Sequence, residues 1–230
     1  MARSNTSRRW LLAAVIAALL LAAGSLWVLG RDRLLSYWVG RHTSAEVTSA
    51  SARAGPFGLA MGMTLKDLQA SSELKEVQPY EFSTFSVPDG HPDFKHYTLI
   101  VTPSHGLCAV MASTPLIKTT IHGEELRAEF NRYRGALSKK YGIGRLRDSL
   151  QAGSLWGKQE HWMMGLRTKE RSLLVDWPNS AGDLLPNSIR GIFLEATADA
   201  LDEGRIVVSY GFNNSDVCLE WIAAKKDSKL

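Results

Sequence analysis

The residues best suited to chemistry in this 230-residue chain are two cysteines, Cys108 and Cys218, and six histidines, His42, His91, His96, His105, His122 and His161. The stretch Ser104-His105-Gly106-Leu107-Cys108 holds the parts of a nucleophile and its base. A nucleophilic thiol needs a partly exposed, electropositive setting. Cys108 sits instead in Leu107 to Ser113, which is apolar on both alternating faces and reads as a central strand. The spacings of metal chemistry are missing as well: the sequence has no CxxC, no cysteine–histidine cluster and no HExxH. His91 and His96 flank Asp93, but within a proline-containing stretch that reads as a solvated loop.

The carboxylate pairs Glu124-Glu125 and Asp202-Glu203 fall at a helix start and a turn, and neighbours in sequence lack the convergence that acid–base work needs. Gly142-Ile143-Gly144-Arg145 follows a helix, whereas a phosphate-binding loop runs strand, glycines, then helix. Trp156, Trp162, Trp177, Met163 and Met164 read as core packing rather than as a ligand groove. The sequence therefore assigns no catalytic, cofactor-binding or metal-ligating residue, and no cofactor is expected. What remains is the pair Cys108 and Cys218. In an exported domain they are disulfide candidates, and closing a loop of roughly 100 residues contributes about 4–5 kcal/mol in the chain-entropy model. Two free, buried thiols are the alternative.

The elements that must position these cysteines follow from periodicity. Phe57 to Met61 reads as a short strand, and Thr64 with Asp67 as the capped start of a helix over 65–70. Residues 79–94, with Pro79, Pro88, Gly90 and Pro92, read as strand pieces and loops. A hairpin is predicted from strands 97–102 and 107–113. Strict alternation there puts Cys108 with Val110 on one face and Leu107, Ala109 and Met111 on the other. Leu126, Phe130, Tyr133, Leu137 and Tyr141 recur at helical steps and predict a helix over 124–141, opened by glutamates, closed by Lys139 and Lys140 and stopped by Gly142. Two more hairpins are expected, 161–167 with 173–177 and 189–197 with 205–212. A helix over 217–224 carries Cys218, Trp221 and Ile222 on one face. This order predicts an α+β fold, an antiparallel sheet of six or seven strands with helices packed on one face.

Residues 10–30 carry no charge, and a helix of roughly 20 such residues rises about 30 Å, the thickness of a bilayer's hydrocarbon core. Arg3, Arg8 and Arg9 precede the run without an acidic residue, which keeps the N-terminus in the cytoplasm. The expected organisation is a cytoplasmic N-terminus (1–9), a transmembrane signal anchor (10–30), a juxtamembrane segment and linker (31–56) and a globular α+β domain (57–230) in the periplasm or outside. The competing reading is a signal peptide cleaved near Gly24, which releases the domain. Lys and Arg total 27 against 23 acidic residues. Without the three leading arginines the balance is 24 to 23, so the excess marks topology and gives no support to nucleic-acid binding.

The segment Phe57-Gly58-Leu59-Ala60-Met61-Gly62-Met63-Thr64-Leu65-Lys66-Asp67-Leu68 resembles the strand, Gly-Met-Thr, helix opening of small bacterial envelope domains. Among these is the SmpA/OmlA-type lipoprotein of the outer-membrane β-barrel assembly machinery. The lipidated cysteine of that family is absent here, so its anchoring and role do not carry over. More of the chain is similar to a group of bacterial envelope proteins with no assigned activity, through His105-Gly106-Leu107-Cys108, the helix from Gly123 to Gly142, Trp162 to Trp177 and Asp216 to Leu230. The resemblance implies an envelope domain and no reaction. The expected function is protein–protein interaction by a membrane-tethered domain with an envelope protein as partner. An envelope enzyme of hydrolase type and a ligand-binding or sensing module are the alternatives.

Overall fold

Nine strands, paired antiparallel throughout, carry the fold in the computed structural model, which describes residues 55–178 and 185–227. They are β1 (Lys75–Gln78), β2 (Glu81–Thr84), β3 (His96–Thr102), β4 (Gly106–Ser113), β5 (Ile117–Lys118), β6 (Arg145–Leu150), β7 (Arg171–Pro178), β8 (Ile189–Ala198) and β9 (Glu203–Phe212). The sheet runs β1-β2-β3-β4-β9-β8-β7-β6, and β5 pairs with β9 beyond the end of β4. Four α-helices accompany it: α1 (Leu65–Gln69), α2 (Glu124–Tyr141), α3 (Trp162–Arg167) and α4 (Ser215–Asp227). The α+β class stands, with more strands than expected. The additional ones are short, in two cases at a sheet edge, where solvent removes the apolar alternation that marks a buried strand.

Local signals set several elements. Thr64 accepts from the Asp67 N–H, and Asp67 accepts in turn from the Thr64 N–H, so α1 opens on a reciprocal capping box. Helix α2 spans the residues its periodicity marks and buries Leu126, Phe130 and Tyr133. Residues 161–167 correct the sequence reading. They form no strand: a 3-10 turn (Gln159–His161) leads into α3, and the partner of β7 is β6. Trp162-Met163-Met164 in a six-residue helix spans too few turns for periodicity to tell helix from strand. Phe57 to Met61 is likewise a 3-10 turn (Pro56–Gly58) and an extended connection. Gly62 N–H donates to the Leu107 carbonyl and Leu107 N–H to the Met63 carbonyl.

One face of the sheet holds the core. Tyr97, Leu99, Val110, Val208 and Leu194 share this face, packed in one cluster with Phe130 of α2 and Met163 of α3. Helix α4 lies on the other face. Thr102 points away from the core side that Val101 occupies, and its hydroxyl donates to Cys218 Sγ of α4 at 3.8 Å. Helices therefore flank both faces, which corrects the expectation of one. Among the described residues no helix is long and apolar enough to cross a membrane. The uncharged run 10–30, to which the span is assigned, lies outside the described residues.

Candidate functional site

Cys108 and Cys218 form a disulfide with Cα atoms 6.4 Å apart, within the range such bonds span. A β-bulge makes it possible. Val101 pairs with Leu107 and Ile100 with Ala109, so Cys108 is the extra residue on β4. Leu107 thereby stays on the core side with Val110, and Cys108 turns toward α4. This reverses the faces that strict alternation assigns to Leu107 and Cys108. Around the bond, Ser215 Oγ donates to the Cys108 carbonyl at 2.8 Å, and Asn214 Nδ2 donates to the carbonyls of His105 and Leu107. The turn into α4 is thus fastened to β4 by side chain as well as by sulfur.

Among the described residues the histidines do not assemble into a centre, and His42 lies outside them. His96 Nε2 lies 2.8 Å from Ser83 Oγ, while His91 Nδ1 lies 4.0 Å from Asp93. The His105 ring Nδ1 lies 2.9 Å from the neighbouring Ser104 hydroxyl, and Cys108 is held in the disulfide. Burial lowers the His96 pKa, and Arg205 lowers it further. Among the described residues no three His, Cys, Asp or Glu side chains converge as metal ligands do. Trp162, Met163 and Trp177 are buried core residues, whereas Trp156 donates its indole N–H to Glu170.

Asp93 serves another purpose. It accepts from Arg132 at 2.8 Å and from the Tyr133 hydroxyl at 3.0 Å, and these bonds hold its pKa below the ordinary carboxylate value. Burial, and the bond to Asp93, push the Tyr133 hydroxyl up to about 12. Glu129 also bonds Arg132. These side chains, with Lys95, Pro115, Leu116 and Ile117, line a shallow, open groove of about 320 Å³. The guanidinium is matched by two carboxylates, and Lys95 is the further charged group of the lining.

The strand β6 offers an exposed sheet edge. It closes one end of the sheet and pairs over all six residues with β7, without a register slip. Four of its six residues are exposed. The chain reaches it through Gly142 and Gly144. A Cβ on Gly144 would lie 2.4 Å from Val175 and 2.5 Å from Trp177, so only glycine admits the close approach to β7. Leu146 is 45% exposed and Ile143 93% exposed, both large apolar side chains at this rim.

The charges on β6 lean back over the sheet. Arg145 Nε and Arg147 Nη2 each donate to Asp176 of β7 at 3.0 Å, and Asp176 is only 1% exposed. Asp148 accepts from Arg171 Nη1 at 2.8 Å. Further in, on β8, the carboxyl of Glu195 is pushed up to about 6 by burial, which the charge on Lys169 partly opposes. The sequence reading assigns no strand to residues 145–150. Its signal is the alternation of Leu146, Asp148 and Leu150, which one charged position hides. Comparison with protein-family models, curated proteins and solved structures finds no match to this chain.

Proposed function

We propose that the chain is a membrane-tethered envelope protein whose folded domain works by binding another protein. The observation that carries this reading is the β6 rim: a regular edge strand that bears exposed Leu146 and follows exposed Ile143, with its charged side chains drawn inward onto β7. Edge strands of this kind present a row of backbone donors and acceptors to a partner chain. The tether reading is supported by the uncharged run 10–30 and the arginines before it, and the export reading also by the Cys108–Cys218 bond. The resemblance to bacterial envelope domains points the same way.

The test is photocrosslinking in intact cells. A photoreactive amino acid at Ile143 is expected to give a discrete crosslinked species, while the same group at Val77 of β1 gives none. Absence of a discrete species at both positions, and at Leu116 in the groove, would remove the reading.

A further inference from the structure

A strand edge selects its partner by hydrogen bonding along the backbone and by side chains on alternate positions. On β6 the two alternations differ. Arg145 and Arg147 lie on the face away from the core, and Leu146 lies on the core side between them. The side chains of this rim and those bonded to it include Arg145, Arg147 and Arg171 against Asp148 and Asp176. Lys139 and Lys140 end α2 just before it. On the face away from the core Arg145 and Arg147 both meet Asp176, while the Arg171–Asp148 pair lies on the core side with Leu146.

This pattern disfavours a second copy of the chain. An antiparallel copy of β6 centred on Leu146, Arg147 or Asp148 sets arginine against arginine or aspartate against aspartate, and like charges directly opposite destabilise a strand pair. It favours a segment of opposite pattern. We infer that β6 accepts an extended acidic segment of a partner protein as an additional strand, with carboxylates at alternate positions beside Arg145 and Arg147 and an apolar residue over Leu146. The inference rests on the protein-binding reading above and names the surface and the partner's chemistry. Anionic lipid is the competing source of negative charge, but a headgroup has no backbone with which to pair the edge.

The experiment uses the full-length chain and two synthetic eight-residue peptides, one alternating glutamate with valine and one alternating lysine with valine. Hydrogen exchange is read at the β6 amides with peptide up to millimolar concentration. The acidic peptide is expected to slow exchange over 145–150 by roughly tenfold or more, an effect that added salt weakens, and the basic peptide to leave it unchanged. Arg147→Gln, which keeps a donor for Asp176, should weaken the acidic peptide several-fold without altering exchange in β1. Equal protection by both peptides, protection at β1 in place of β6, or no protection at all would overturn the inference. So would binding to phosphatidylglycerol vesicles that shields Ile143 while the acidic peptide has no effect. If crosslinking through Ile143 persists while the acidic peptide fails, the acidic strand is wrong and the protein-binding reading stands. If both fail, both fall.

Discussion

β1 ends the sheet with four residues, all exposed, and its register with β2 slips between Glu76 and Gln78, whereas β6 ends it with six residues in unbroken register. The β1 end is blunted in the usual ways, by shortness, charge and irregular pairing. The region around it is also tied down. Trp221 of α4 packs edge-on against Tyr80 at 4.8 Å, and α4 is bonded to β4 through sulfur. The β6 end has no such staple. Its attachment is electrostatic, through Asp176 and Asp148, and mechanical, through the Trp177 indole that donates to the Gly142 carbonyl at 2.8 Å. One end of the sheet is fastened through sulfur and an aromatic contact, and the other through ion pairs and an indole hydrogen bond.

The comparison can be broken from either side. The largest effect is expected from the locked half. Reduction of the disulfide, or Cys108→Ser with Cys218→Ser, releases a loop with a separation of 110 residues. The chain-entropy cost is about 4–5 kcal/mol in denaturant unfolding. Hydrogen exchange should accelerate first in β1 to β3, and acceleration shared equally with β6 and β7 would erase the distinction between the halves.

Asp176→Asn tests the other half. A buried carboxylate bonded by two arginines is lost while its shape is kept. Because the arginines are themselves partly exposed, the expected loss is about 2 to 3 kcal/mol. The β6 amides should exchange faster and those of β1 should not change.

A smaller effect has a pH signature. Glu195 has its pKa raised from 4.5 to about 6, so the folded protein holds that proton more tightly than the unfolded chain. The stabilisation is complete below about pH 4.5 and is lost as pH rises through about 6, amounting to about 2 kcal/mol. Glu195→Gln should flatten that part of the stability profile relative to the natural chain in paired denaturant titrations. An unchanged slope would show that the carboxyl is not desolvated. The smallest effect belongs to the cap of α1. Thr64→Ala is expected to cost about 1 kcal/mol by thermal or denaturant unfolding, with β6 exchange unaffected.

The locked half was the more legible of the two in the sequence. The Thr64–Asp67 cap and the 97–113 hairpin follow from local residue types, and the Cys108–Cys218 bond is one of the two states the sequence leaves open for these cysteines. The long helix and the β8–β9 hairpin follow from strong periodicity over many residues. What escaped depends on tertiary context. β6 has the pattern Arg-Leu-Arg-Asp-Ser-Leu, whose charges make sense only once Asp176 and Arg171 on β7 are in place to receive them. The bulge at Cys108 escaped because no residue in Leu107-Cys108-Ala109 announces an extra position; it is set by pairing with β3. The groove at Asp93 depends on Arg132 and Tyr133, about forty positions away along the chain.

That bulge gives the sulfur bond a second use. Because strand faces alternate residue by residue, a β3–β4 hairpin closed one position out of step would carry Cys108 round to the α2 side, out of reach of Cys218. Oxidation therefore works as a proofreader of strand register: only a correctly threaded hairpin can be sealed, and a misaligned molecule is left bearing two thiols by which it can be told apart.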